Sequence, residues 1–174
     1  MPRRRANQRS RVAPRVTLQV RVSDEAGQPG SADRAFVREL GRRCAMASVS
    51  ALRRASDSAV TTAFDRLCDI VEDQSHVTII ARVAERRVGF LLLLDGLPDE
   101  VTLLPQGFVA YMAVEPECRR TGVGAALLAA AESEARRRGL PYMALMVTEE
   151  NAAARHLYDR GGYRTERRLL CKPL

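Results

Sequence analysis

Apolar residues alternate with polar ones in the first part of the chain and then recur at a helical period. Over residues 15–22 every second position is apolar, which predicts a half-buried strand. Two later segments place apolar residues three and four apart. They predict a helix that begins at Ser31 and a second helix over residues 59–72. The first 72 residues therefore indicate one strand followed by two helices.

Short apolar runs and amphipathic segments make up the remainder of the chain. They predict a hairpin, a third strand, and then helices and strands in turn, over residues 77–83, 88–94 and 108–114 (strands), 123–138 (helix), 142–148 (strand), 151–160 (helix) and 163–171 (strand). Adjacent β-runs favour antiparallel pairing, and strands separated by helices favour parallel pairing. We therefore expect an α/β fold (mixed α+β) with a central, mixed but mostly antiparallel sheet of six to seven strands flanked by about four helices.

Length and composition indicate one soluble globular domain. The chain has 174 residues, of which 46% are hydrophobic and 28% are charged, enough for a single core. Its longest apolar runs, residues 88–94 and 123–131, are too short to cross a bilayer, so we expect no membrane segment. The four cysteines form no CxxC pair and, with the two histidines, no zinc-binding spacing. We therefore expect free thiols, no metal and a cytoplasmic protein.

The net charge of +7 belongs almost entirely to the N-terminus. Residues 1–15 contain six arginines and no acid, whereas the other residues carry a balance of +1. We expect residues 1–14 to be a basic, disordered tail and residues 15–174 to be a single domain. A transit peptide or an arm that contacts phosphate backbones is the alternative for the tail. Because the body is nearly neutral, nucleic acid is not an expected partner.

A basic, glycine-containing loop joins the predicted strand 108–114 to the helix that begins at Val123. Unpaired backbone N–H groups at a helix start attract anions, typically phosphate. Gly122 and Gly124 let the backbone approach such an anion, and Arg119 and Arg120 add positive charge. The pattern indicates a pyrophosphate site, although an ordinary tight turn before a helix has the same local features.

A second segment follows the next predicted strand, and together with the loop it supports a more specific interpretation. The order Arg119-x-x-Gly122-x-Gly124 resembles the R/Q-x-x-G-x-G/A loop of the GNAT superfamily of acyl-CoA-dependent N-acyltransferases. The later segment resembles the N-x-x-A-x-x-L-Y-x-x-x-G-F/Y helix of that family at Asn151, Ala154, Leu157, Tyr158, Gly162 and Tyr163. The resemblance rests on motifs over residues 108–171 and on the order of elements alone over residues 15–94.

The resemblance implies roles for individual residues. Backbone groups of the strand, at Met112, Ala113 and Val114, would hold the pantetheine arm of acetyl-CoA and polarise the thioester carbonyl. The loop would hold the pyrophosphate through its amides, at Arg119, Arg120, Thr121, Gly122, Val123, Gly124 and Ala125. Asn151 would cap the next helix and contact the cofactor, and Tyr158 would act as general acid by protonating the departing thiolate.

The general base is the point at which the sequence departs from the family pattern. Some members carry a glutamate near the start of the strand, where this chain has Phe108, and others carry one in the next strand, where it has Met146. The remaining candidates are Glu149, at the end of that strand, and Tyr111. Either would accept the amine proton alone or through a chain of water molecules.

The implied activity is an acetyl-CoA-dependent N-acetyltransferase, in which a primary amine attacks directly in a ternary complex. The alternative is a non-catalytic acyl-CoA-binding sensor or interaction module. The acceptor stays open between a polyamine or aminoglycoside, for which Asp95, Asp99 and Glu100 could supply an acidic pocket, and a protein N-terminus or a small antibiotic-like amine. The length of the acyl group and the formation of a homodimer are also open.

Overall fold

The computed structural model describes residues 17–174, so the predicted disordered tail and the first two residues of the predicted strand 15–22 lie outside the described residues. The chain forms five strands and four α-helices over these residues. In chain order they are β1 (Leu18–Val22), α1 (Ala32–Cys44), a 3-10 turn (Ala45–Ser48), α2 (Asp57–Glu72), β2 (His76–Val83), β3 (Arg86–Leu94), β4 (Gln106–Val114), a second 3-10 turn (Pro116–Cys118), α3 (Val123–Arg137), β5 (Tyr142–Leu145) and α4 (Ala152–Arg160).

The five strands form one mixed sheet in the order β1-β2-β3-β4-β5. The first four strands pair antiparallel, and β5 pairs parallel to β4, as expected for a strand reached through the crossover helix α3. The predicted mixed α/β fold is therefore confirmed, with five strands among residues 17–174 in place of the six to seven expected.

The predicted last strand, residues 163–171, is the main difference from the sequence pattern. These residues have no strand conformation, and Leu169 and Leu170 are almost fully exposed. Arg167 forms ion pairs with Asp99 and Glu100 in the loop before β4. Residues of β5 and Glu166 line a groove of about 300 Å³. Open space thus lies beside β5, where a sixth strand would need to approach within about 5 Å to form ladder hydrogen bonds.

Helices cover both faces of the sheet. On one face, α1 and α2 bury Leu40, Phe64 and Val71 against Phe90 and other side chains of β3 and β4. On the other face, α3 packs its apolar side on the remaining residues of the same strands, and α4 adds Leu157 and Tyr158. Because β3 is covered twice, seven of its nine residues are buried, which explains its nearly continuous apolar sequence.

Serine side chains begin α1 and α2. The Ser31 hydroxyl accepts a hydrogen bond from the Arg34 N–H at 3.1 Å, which confirms the predicted start of α1. Ser56 begins α2 in the same way, two residues earlier than the predicted helix. Such caps satisfy N–H groups that have no partner within the helix.

A β-bulge in β4 shapes the region between β4 and β5. Leu92 pairs with Tyr111 and Leu93 pairs with Val109, so Ala110 is the extra residue on β4. The parallel pairing of β4 with β5 ends at the same level, at the pair Val109–Leu145. Since a bulge bends its strand and interrupts pairing, β4 and the chain that follows β5 separate beyond this point.

Candidate functional site

A cleft opens where β4 and β5 separate. Among the described residues, the last part of β4 pairs only with β3, so its edge towards β5 has no strand partner. Met146 and Val147, directly after β5, are exposed. The predicted arm-binding residues Met112, Ala113 and Val114 lie on this free edge. An extended ligand could hydrogen-bond to such an edge as an added strand does.

The start of α3 lies next to this edge and carries unpaired amides. The first hydrogen bond of the helix runs from the Ala126 N–H to the Gly122 carbonyl, at 3.0 Å, which leaves the three preceding N–H groups (Val123, Gly124 and Ala125) without partners in the helix. Gly122 has φ +93°, a left-handed conformation that side chains disfavour. The unpaired N–H groups at the start of α3 therefore form a suitable site for an anionic group.

The two arginines of the loop have different environments. The Arg119 guanidinium donates to the Val114 carbonyl at 3.1 Å and contacts the Cys44 sulfur at 3.3 Å, so it connects the loop to β4 and α1. Arg120 is exposed and has φ +62°, an uncommon conformation for a residue other than glycine. Thr121 donates a hydrogen bond to the Cys118 carbonyl at 2.6 Å and so tightens the turn. Arg120 is thus better placed than Arg119 to contact a phosphate.

Gly124 has a packing role that the motif alone did not reveal. A Cβ atom at this position would lie 3.0 Å from a methyl group of Leu157 on α4. The missing side chain therefore lets α4 approach the first turn of α3. This contact brings the helix that carries Tyr158 to the candidate anion site.

Tyr158 lies half-buried on α4, among the residues that cover the α3 face of the sheet together with Met112 and Val114. Its ring centre is 5.9 Å from that of Tyr163. Burial raises the pKa of Tyr158 above the ordinary value for tyrosine. The phenol therefore keeps its proton at neutral pH and is able to donate it.

The loop between β5 and α4 is bound to the turn that follows α1. The Asn151 side chain accepts from the Ala154 N–H at 3.2 Å, as predicted for the cap of α4, and also donates to the Ala47 carbonyl at 3.4 Å. The Glu150 carboxylate accepts from the Ala51 N–H at 3.0 Å. These contacts close the cleft on the α1 side. They join residues about a hundred positions apart, so no local sequence signal reveals them.

Tyr111 lies on the opposite face of the sheet from α3. Its ring packs against Phe64 and Phe90, with centroid distances of 4.9 and 6.0 Å. Burial raises the pKa of Tyr111 to about 12 in spite of a hydrogen bond with the Ser48 side chain. A group that is already protonated at neutral pH is a poor acceptor for the amine proton, so the environment argues against Tyr111 as the base.

Glu149, the other candidate base, lies at the mouth of the cleft. Its side chain is 84% exposed and forms an ion pair of 2.7 Å with Arg155. Met146 and Phe108 occupy the positions where other members of the resembled family carry glutamate, and Phe108 packs against the α1 and α2 core. Neither position supplies a carboxylate, and the side chain of Glu149 is turned largely to solvent.

The three acids considered for an acidic acceptor pocket lie elsewhere. Asp95 pairs with Arg138, at the end of α3. Asp99 and Glu100 both pair with Arg167, before the start of β4. Hydrogen bonds from Thr102 and, to a smaller extent, from Arg167 lower the pKa of Asp99 well below its usual range. These carboxylates lie at the opposite end of β4 from the cleft and are already neutralised.

The described residues include neither a membrane-spanning helix nor a group of metal-binding side chains. Within residues 17–174 no helix combines the length and the apolar character that a membrane span requires. The same part of the chain contains no group of three or more histidine, cysteine or acidic side chains arranged to hold a metal ion.

Comparison with known families identifies the family of the chain. The model of the acetyltransferase (GNAT) family matches residues 45–163, a stretch that begins after α1 and includes β4, the loop, α3 and α4. The chain belongs to the GNAT acetyltransferase family. No curated protein sequence matches the chain.

Solved structures share the GNAT fold with this chain at low sequence identity. A Pyrococcus furiosus protein described as an acetyl transferase is 21% identical and superposes with a TM-score of 0.75, covering 91% of this chain and 100% of that one. A ribosomal-protein-alanine N-acetyltransferase from Brucella melitensis is 21% identical, with a TM-score of 0.63 and coverage of 90% and 99%. The aminoglycoside N-acetyltransferase AAC(6')-Iy, solved with CoA, is 17% identical, with a TM-score of 0.63 and coverage of 94% and 99%.

Proposed function

We propose that this GNAT protein transfers an acetyl group from acetyl-CoA to a primary amine, by direct attack in a ternary complex. The observation that supports the proposal is that three features belong to elements that pack together on the α3 face of the sheet. They are the unpaired amides at the start of α3, the free edge of β4 and the hydroxyl of Tyr158. Together they match the three needs of the reaction, which are to bind a pyrophosphate, to align an extended thioester and to protonate a leaving sulfur.

The binding half of the proposal rests on backbone groups. The amides of Val123, Gly124 and Ala125 would hold the pyrophosphate, supported by the exposed charge of Arg120. The free edge at Met112–Val114 would align the pantetheine arm. Asn151 would border the arm from α4, whose first turn it caps. Acetyl-CoA supplies the thioester that is attacked.

The chemical half rests on one hydrogen-bond donor and one acid. A backbone N–H on the free edge of β4 would stabilise charge on the carbonyl oxygen, a contribution worth roughly 2.7–4 kcal/mol in comparable sites. Tyr158 would give its proton to the sulfur as the carbon–sulfur bond breaks, so that CoA leaves as a neutral thiol and the phenolate takes up a proton from solvent afterwards. The raised pKa of Tyr158 keeps the donor form populated.

The acceptor amine must lose a proton, and Glu149 is the group that we propose to receive it through water. Its side chain is largely exposed, which supports a route for the proton through solvent. The structural neighbours include enzymes whose names specify a ribosomal-protein alanine and aminoglycosides. Both of these acceptors carry amines, which supports the amine class for this chain.

Calorimetric titration with acetyl-CoA, CoA and 3'-dephospho-CoA tests the binding half. We expect micromolar binding of acetyl-CoA, and thiol release when a panel of amines is added afterwards. Replacement of Gly122 by valine should weaken binding by at least tenfold, because φ +93° strains a β-branched residue. Gly27→Val, far from the cleft in an open loop, is the matched control.

The outcomes separate the two functions considered. A folded protein that binds none of these ligands would show that the loop is a structural turn. Binding without turnover of any amine would favour the non-catalytic acyl-CoA sensor.

A further inference from the structure

The proposed cofactor occupies one side of the cleft, so the acceptor must bind on the other side. The α3 face holds the unpaired amides and Tyr158, and the proposed cofactor occupies that side. The opposite side is bounded by residues 44–54, a segment defined here as the acceptor wall. It is joined to the cleft through Ala47, Ala51 and Ser48, which contact Asn151, Glu150 and Tyr111.

The accessible side chains on this side are mainly apolar. Met46 and Leu52 on the acceptor wall are 43% and 55% exposed. Met146 and Val147 across the cleft are 76% and 39% exposed. Large apolar side chains with this exposure, grouped at the mouth of a cleft, are typical of a surface that binds apolar groups.

The charges on this side do not favour a polycation. The acceptor wall contains no carboxylate and ends in Arg53 and Arg54, both exposed. Across the cleft, Glu149 is paired with Arg155, and Glu150 accepts hydrogen bonds from the wall itself. Backbone N–H groups of Glu150 and Ala51 lower the pKa of Glu150, so this carboxylate is already stabilised within the protein.

The chain after β5 offers main-chain groups to an extended acceptor. Residues 146–148 continue beyond β5 without helix or strand pairing among the described residues. The main-chain N–H and C=O groups of this segment could pair with a peptide backbone, whereas a protonated polyamine, which has donors only, could pair with the carbonyls alone.

We infer that the acceptor is the α-amino group of a peptide whose first residues are uncharged and apolar, and not a polyamine or an aminoglycoside. The inference rests on the proposed acetyl transfer, because it concerns the same cleft. The apolar residues at the mouth contact the first side chains of the peptide, and residues 146–148 pair with its backbone. Arg53 and Arg54 repel an acceptor with several positive charges.

Two conjugates test this inference without relying on turnover. In each, an acetyl bridge joins the CoA sulfur to an amine, either the N-terminus of Ala-Leu-Leu-Gly amide or a primary amine of spermidine. Calorimetry at 150 mM salt compares each conjugate with CoA. We expect the peptide conjugate to bind at least tenfold more tightly than CoA and than the spermidine conjugate.

A charge-reversal variant makes the test specific to the wall. Arg53→Glu with Arg54→Glu should reduce the preference for the peptide conjugate by about tenfold, through attraction of spermidine. Arg21→Glu with Arg66→Glu changes the net charge equally, on β1 and α2, and should leave the preference unchanged. An equal or stronger affinity for the spermidine conjugate, no gain of the peptide conjugate over CoA, or equal effects of both double variants would overturn the inference. Absence of CoA binding would instead overturn the proposed function and the inference with it.

Discussion

The two faces of the sheet contribute to the cleft in different ways. On the α3 face, the anion site and Tyr158 come from one continuous stretch of about fifty residues that alternates strand, loop and helix. On the α1 and α2 face, the acceptor wall, Tyr111 and Glu150 come from three separate parts of the chain. The proposed cofactor side is therefore encoded within one local stretch of sequence, whereas the proposed acceptor side depends on how distant segments pack.

Removal of the Tyr158 hydroxyl should have the largest effect, which is a loss of kcat. This substitution changes only the α3 face of the sheet. We expect Tyr158→Phe to lower kcat by about ten- to a thousandfold, because the leaving thiolate loses its proton donor, with little change in acetyl-CoA affinity. Thiol-release kinetics and calorimetry measure the two quantities.

Tyr163→Phe is the matched control for that variant. The Tyr163 hydroxyl is buried without a hydrogen-bond partner among the described residues, and its ring lies beside that of Tyr158. We expect less than a threefold change in kcat. Loss of acetyl-CoA binding in Tyr158→Phe, or equal losses of kcat in both variants, would assign Tyr158 a structural role.

Overpacking between α1 and α2 should have the next largest effect. It lowers the stability of the fold on the α1 and α2 face of the sheet. A Cβ atom at Gly41 would overlap the ring of Phe64, which is 4% exposed and packs against Tyr111. Gly41→Ala should lower the free energy of unfolding by about 1–3 kcal/mol. Urea unfolding measures it, with Gly27→Ala, which meets no atom within 4 Å, as control. Stabilisation by Gly41→Ala, as expected for an unhindered helix position, would contradict the packing of this face.

The two candidate bases lie in different parts of the molecule, Tyr111 on the α1 and α2 face and Glu149 after β5. Their substitution should change the reaction rate less than the substitutions above. Glu149→Gln should lower kcat/KM by about tenfold, because proton acceptance through water is lost. Tyr111→Phe should change it less than threefold, since a pKa of about 12 prevents Tyr111 from accepting a proton at neutral pH. Rate profiles from pH 5 to 9 measure both. A loss in Tyr111→Phe that exceeds the loss in Glu149→Gln would reverse the assignment.

The ion pairs at the end of α3 should have the smallest effect. Hydrogen bonds from Arg137 and Arg138 lower the pKa of Glu134 to about 2. A carboxylate with a lowered folded-state pKa stabilises the fold above the ordinary pKa of glutamate and loses that contribution as the pH falls towards 2. Glu134→Gln should therefore cost less than about 1 kcal/mol at pH 7 and progressively less below pH 4.5.

Urea unfolding at pH 7, 4 and 3 measures this dependence. Glu132→Gln, which removes a single i,i+4 pair with Arg136, is the control. A cost of Glu134→Gln that stays constant over this pH range would contradict the ion-pair explanation.

Some features could be predicted because the signals are local. Ser31 and Asn151 begin helices by capping groups three residues away, and the loop before α3 shows its glycines and arginines within six residues. The strand order of the mixed sheet also follows from adjacent β-runs and one crossover helix. The error at residues 163–171 has the opposite cause, because the sequence of one segment does not reveal whether a neighbouring strand edge is within pairing distance.

The sequence by itself determined the family and the mixed fold, and it supplied the predictions of an anion-binding loop and of Tyr158 as the acid. The motifs depend on spacing within one loop or one helix, where covalent geometry limits the conformations, and the fold follows from the order of the elements. Only the tertiary structure decided that Gly124 accommodates Leu157, that Tyr111 is buried against Phe64, and that Asp95 and Asp99 are paired far from the cleft. Contacts between distant residues depend on the packing of the whole chain, and burial and ion pairing set the chemistry of each side chain only after that packing is complete.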